Sequence, residues 1–396
     1  MNPILVKPEA DNRSQVVVLG RPDPARSAQG WRERSGLWPV IIDSLQALLS
    51  EHQLVLLEGA GSPAEINLRD TDLANMRVAK EAEALVLLVG DIDRGGVFAH
   101  LYGTWALLPA DERALIGGFI LNKFRGDASL LAPAPVRLEE LTGIATLGVL
   151  PWLAHGLPDE DGVAAPRGRA AAQRVVIIRY PTASNLDEFK QLEEVADVHF
   201  ATEAEEFVGA DLLILPGSKF VAADLAWLRA RGRADAVRAH VRQGGRLLAI
   251  CGGLQMLGER LHDRGGVDGD ADGLGLLALE TEFASVKATR MVAARFLRLP
   301  APWQALAEQS FSGYEIRHGH SEPTGALEAA IADGLGYVDG SVLAIYLHGL
   351  FEQSSVIDAL FATAPTRSLD DAFDELADVV EAQLDIPALL DKAGVS

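Results

Sequence analysis

At 396 residues the chain is longer than one hydrophobic core ordinarily serves, so two domains are expected. A formal charge of −21 with no concentrated run of Lys and Arg repels polyanions and excludes nucleic acid as a partner, while 48% hydrophobic residues exclude a disordered chain. The longest apolar runs, such as residues 84–89, are far too short to cross a bilayer, and no basic segment followed by an apolar one opens the chain, so no membrane contact is expected.

Short β-branched and leucine-rich runs alternate with longer amphipathic stretches, the pattern of parallel strands joined by helices, which predicts an α/β fold. In the first domain, residues 1–155, strands are predicted at 54–57, 85–89, 118–121 and 146–149, with helices at 73–81 and 98–108. Pro, Gly, Asp, Ala and Arg without apolar period mark residues 156–173 as a linker. A second α/β domain over 174–365 follows, with strands at 174–179, 212–215, 246–250 and 341–346 and one or two helices over 222–243. Leu, Val and Ile at helical spacing among acidic residues predict a docked helix pair within a C-terminal tail, 366–396.

Cys251, the single cysteine, stands between the apolar run 247–250 and a helix start, which fits a reducing cytoplasmic compartment and no internal disulfide. Ala249 and Gly253 flank it with the spacing of the Gly-x-Ser-x-Gly turn that forces a nucleophile outward. The first turn of a helix favours a thiolate and offers N–H groups to an oxyanion. A lone cysteine after a strand is otherwise a core residue, and here the flanking glycines and Gln255 weigh for chemistry. Its base must come from another strand end, and His348, followed by Gly349, is the best placed. His318 and His320 are weaker candidates, and His262 and His240 read as lying on exposed helical faces.

The series Cys251-x-Gly253-x-Gln255 resembles the signature of class I glutamine amidotransferases. The resemblance implies that Cys251 attacks the carboxamide of L-glutamine, that Gln255 helps hold that substrate, and that His348 moves the proton. It further implies that the turn Leu215-Pro216-Gly217-Ser218-Lys219 is the oxyanion strand, with the N–H groups of Gly217 and Gly252 facing the developing charge. The wider class has a glutamate two residues after the histidine; here that position is Leu350, so the third member of the triad is missing from the sequence pattern. Glu352 and Glu315 are conceivable substitutes, and neither has more support than a simple dyad.

In the first half, Glu58 and Asp91 follow predicted strands, where a carboxylate is placed to hold Mg²⁺ opposite a nucleotide's phosphates, although such Gly/Asp loops are commonly plain turns. The strings MNPxLxKP, EGAGSPAEINLR, DIDRGG, NKFRGD, GVLP, ASN, LPGSK, CGGxQMLG, GYEI and YLHGLF occur in the order of the cobyric acid synthase family, which the chain resembles almost end to end. That resemblance implies an N-terminal P-loop-NTPase domain of the dethiobiotin-synthetase type and a flavodoxin-like class I glutamine amidotransferase domain. It also implies amidation of carboxylates of adenosylcobyrinic acid a,c-diamide with ATP and glutamine. Glu58 and Asp91 would hold Mg²⁺, Asn122 would read the nucleotide base, and Arg69, Arg94 and Arg125 would face anionic groups of the corrinoid or nucleotide.

The sequence departs from the family at its phosphate loop, because no Gly-Lys dipeptide occurs anywhere. The expectation is a chain that starts after the family's first strand, phosphate loop and helix, with that segment encoded upstream. The alternatives are a partner-dependent glutaminase subunit without its own ATP site, and a stand-alone cysteine hydrolase. A homo-oligomer is also open.

Overall fold

The computed structural model describes residues 2–10, 13–29, 36–153, 173–365 and 369–395. All but the last residue of the predicted linker lies outside them. The chain divides into one compact unit of Met1–His155 with Asp374–Ser396 and a second of Gly156–Phe373.

The first unit is built on three parallel strands, Val86–Asp91, Ile116–Phe124 and Thr146–Pro151, with Ile116–Phe124 in the middle. Helices Val97–Leu107 and Ala134–Thr142 cover the sheet through Val97, Leu101 and Leu138, which cluster with Leu88, Phe119 and Leu121. In the C-terminal helix pair, Leu369–Gln383 and Ile386–Lys392, Asp385 caps the second helix by accepting the Ala388 N–H at 3.0 Å. The pair returns to this unit: a Cβ added to Gly148 would lie 2.3 Å from Leu384 Cδ2, so a strand glycine admits the tail.

The predicted strand at 54–57 does not form. Leu54, Leu56 and Leu57 are exposed, Leu56 by 86%, and among the described residues no strand pairs with them. Apolar β-formers without a neighbouring edge have no ladder to join. An antiparallel meander of Ile4–Ala10, Arg13–Val18 and Arg21–Pro22 and a helix Trp38–Glu51 were not predicted.

The second unit centres on a seven-stranded sheet in the order Glu328–Ile331, Gly336–Asp339, Val342–Ile345, Arg246–Ile250, Leu212–Leu215, Arg174–Ile178, Asp197–Ala201. The last five run parallel, and the three innermost of them are almost completely buried, as continuous apolar runs covered on both faces require. The helical stretch predicted over 222–243 forms two helices, Val221–Arg229 and Arg233–Arg242, separated at Arg231 by a left-handed φ of 58°.

A second sheet contains the long antiparallel pair Leu279–Arg295 and Ser310–Pro323. His262 belongs to its strand Arg260–His262 and not to a helix, whereas His240 is on the helix Arg233–Arg242 with Nε2 2.9 Å from the Arg246 carbonyl oxygen.

Candidate active site

Three strand ends of the parallel sheet converge, and in open α/β sheets such ends are where ligands bind. Cys251 follows Ile250 with φ 51° and ψ −106°, a strained combination for a residue with a Cβ, and leads into the short helix Gly252–Leu257. That turn requires small neighbours: a Cβ on Gly253 would lie 2.2 Å from the Leu215 carbonyl oxygen, and one on Gly252 would lie 2.7 Å from the Ser218 nitrogen. The thiol is 5% exposed and donates to the Ile316 carbonyl at 3.5 Å.

His348 lies three residues beyond the strand Val342–Ile345 and is 1% exposed. Its main chain forms a β-bridge with Tyr314, and the Tyr314 ring stacks on the imidazole at 5.2 Å with 22° between the planes. The imidazole is within hydrogen-bond reach of Cys251. Burial works against its protonation, but the hydrogen bonds and charges of Cys251 and Glu188 outweigh it and raise the histidine to about 10.

Nδ1 of His348 is 2.9 Å from Glu188 Oε1, and Glu188 Oε2 accepts the Gly349 N–H at 2.9 Å. A carboxylate therefore stands against Nδ1 of His348, delivered from the helical segment Leu186–Glu194 that follows Asn185. Leu350 is fully buried, and Glu315 is committed to Arg290 at 2.5 Å and Arg317 at 2.6 Å. Glu352 is exposed beside Gly349, its carboxyl raised by partial desolvation and by the charges of Glu188 and Asp187.

Gly217 borders the histidine, since a Cβ there would lie 2.8 Å from His348 Cε1. It belongs to the two-residue strand Gly217–Ser218, paired with Ala183–Ser184, while Ser218 Oγ and Thr182 Oγ1 both donate to buried Asp224 at 2.6 Å. Gln255 is buried, and its amide faces Gly319, where a Cβ would lie 2.5 Å from Nε2. Tyr346 is raised to about 12, foremost by burial.

In the first unit, Asp91 and Asn122 are paired in register at neighbouring strand ends. Lys123 Nζ bonds Asp91 at 3.0 Å and holds its carboxyl below the usual range, with Arg94 3.5 Å away. Asn122 Oδ1 accepts the Lys123 N–H at 2.9 Å. Glu58 is exposed on an irregular segment. Among the described residues no three His, Cys, Asp or Glu side chains gather into a metal-holding group. Magnesium held together with phosphates needs only one or two carboxylates; Asp91 at its strand end offers one, whose Oδ1 accepts the Asp93 N–H and whose Oδ2 accepts from Lys123, both at 3.0 Å.

Arg69 pairs with Glu112 at 2.6 Å, and Arg125 pairs with Asp93 at 2.9 Å while lying over the Trp152 ring. A cavity of about 820 Å³ opens beside Gly61, Ser62, Arg69, Asn75, Arg77 and Lys80.

Residues 174–356 match the CobB/CobQ-like glutamine amidotransferase domain, and residues 9–156 match an AAA domain. Among solved structures, a glutamine amidotransferase is 20% identical with a TM-score of 0.37, covering 50% of this chain and 98% of its own. The second unit is thus a glutamine amidotransferase domain of α/β fold, accompanied by an AAA-like α/β domain. Cobyric acid synthase from Variovorax paradoxus (strain S110) is 52% identical over 395 residues, which cover 96% of this chain and 82% of that protein. The cobyric acid synthase of Acidovorax ebreus (strain TPSY) is 52% identical over 412 residues, covering 100% of this chain and 82% of its own. The chain belongs to the cobyric acid synthase family.

Proposed function

We propose that the chain hydrolyses glutamine at Cys251 and His348 and uses the ammonia, with ATP, to amidate carboxylates of adenosylcobyrinic acid a,c-diamide. The observation that carries this reading is a buried histidine within hydrogen-bond reach of a cysteine held on a strained strand-to-helix turn, in a chain of this family. The thiolate attacks the glutamine carboxamide and His348 gives a proton to the departing ammonia. Water, activated by the same imidazole, then releases glutamate from the thioester. Backbone N–H groups of Gly217 and Gly252 face the oxyanion. Gln255, on the helix that begins at Gly252, would help hold the substrate glutamine.

ATP supplies the phosphoryl group that converts a carboxylate into a better electrophile. Asp91 and Glu58 would hold its Mg²⁺, and Asn122 would read its base.

The test is mass spectrometry of that corrinoid after incubation with ATP, Mg²⁺ and amide-¹⁵N glutamine. Labelled amides are expected with the wild-type chain; with Cys251→Ser they are expected from free ammonia only. An unaltered corrinoid in the presence of both nitrogen sources refutes the ligase reading.

A further inference from the structure

The glutamate expected two residues after His348 is replaced by fully buried Leu350, yet the ring does not lack a carboxylate. The side chains of Glu188 and His348 are each 1% exposed, and both carboxylate oxygens are used within one residue pair, Oε1 at Nδ1 of His348 and Oε2 at the N–H of Gly349, both at 2.9 Å. Two bonds to adjacent residues fix the rotation of the ring relative to its own main chain, which one bond cannot do.

We propose that Glu188 is the positioning acid of the glutaminase site, holding the Nδ1–H tautomer of His348 so that Nε2 serves Cys251. The proposal rests on the Cys251–His348 reading given above and adds the acid that the sequence pattern lacks.

The same segment holds the ring a second time. Asn185, in the left-handed conformation at φ 58°, donates from Nδ2 to the Tyr314 hydroxyl at 2.5 Å, and Tyr314 stacks on the imidazole. The titratable groups around the pair are Cys251, Tyr314, Tyr180, Asp187 and Glu352. Asp187 and Glu352 are themselves acidic and would repel a buried carboxylate, so the imidazolium is the charge that offsets Glu188. Protonation of the ring stores the proton later passed to ammonia, and an anion on Nδ1 keeps that proton on the ring to higher pH.

The experiment compares wild type, Glu188→Gln and Glu188→Asp in glutamine hydrolysis across pH 6–11, with alkylation of Cys251 by a glutamine-mimicking electrophile in parallel. Gln is nearly isosteric but uncharged and cannot accept both N–H groups. It is expected to lower kcat by about 10²-fold or more, with little change in KM, and to move the alkaline limb down by about one pH unit or more. Asp keeps the charge on a shorter stem, so the limb stays and kcat lies between the other two, about tenfold below wild type.

A merely structural glutamate would change stability and leave the limb in place. A wild-type kcat and limb in Glu188→Gln would overturn the proposal while leaving the glutaminase reading intact. A wild-type chain that neither hydrolyses glutamine nor alkylates at Cys251 would overturn both. Should Glu188→Gln fail to fold, Glu188→Asp decides: a kcat reduced about tenfold at unchanged KM and unchanged thermal midpoint supports the proposal, and a wild-type kcat, or a loss of activity matched by a loss of stability, overturns it.

Discussion

Cys251 combines the strain of the site with the chemistry proposed for it. A φ of 51° is uncommon for a residue with a Cβ, and such conformations cost of order 1–3 kcal/mol. Glycine has no such cost, so Cys251→Gly is expected to be more stable than Cys251→Ala by about 1–2 kcal/mol in urea denaturation, although alanine ordinarily favours the folded chain. Equal stabilities would mean the turn is unstrained. His348 gives a pH dependence whose sign follows from its raised value. The native state holds the extra proton, so the stabilisation is complete below the unfolded value near 6.5 and is lost as pH rises through about 10. Urea midpoints from pH 7 to 11 should fall across that window, and less steeply in Glu188→Gln. At this scale the turn at Cys251 and the strand-end position of His348 were legible in the sequence, the first from the flanking small residues and the second from the apolar run before the histidine. Glu188 was not, because 160 residues separate it from His348 and only the folded sheet brings them together.

At the scale of elements, the two-residue strand Gly217–Ser218 sets how close the backbone comes to the imidazole. Gly217→Ala should place a methyl 2.8 Å from His348 Cε1, displacing the ring. Glutaminase activity is expected to fall about 10²-fold while stability drops by only about 1–3 kcal/mol, measured by steady-state kinetics beside thermal melts. The long hairpin places Glu315, 1% exposed, between Arg290 and Arg317. Removing that carboxylate as Glu315→Leu leaves Arg317, 10% exposed, without its partner, while Arg290 turns to water, and should cost about 1–3 kcal/mol in urea. The parallel strands of the second unit were legible as continuous apolar runs. The hairpin strand Leu279–Arg295 was not, because its middle is exposed and carries Lys287 and Arg290 where an alternating pattern would need apolar residues. The run at 54–57 fails in the opposite sense: its residues favour strand, but pairing is a property of the sheet edge beside it.

For the whole molecule, a formal charge of −21 is the one property no local motif controls. Self-repulsion opposes the compact state and is screened by salt, so the melting midpoint should rise between about 20 mM and 300 mM NaCl, beyond any shift from exposed ion pairs. A lower midpoint at high salt would mean that attractive pairs dominate. No helix among the described residues is long and apolar enough to cross a membrane. The family strings were legible end to end because they are contiguous, whereas the return of Asp374–Ser396 to the first unit is a fact of packing that no short pattern records. The most direct measurement is covalent labelling of the purified chain by a glutamine-mimicking electrophile, read by peptide mass spectrometry. One equivalent on Cys251, suppressed by free glutamine and abolished in His348→Asn, is expected. Labelling that is absent from Cys251, or indifferent to glutamine, would contradict an amidotransferase site at this cysteine.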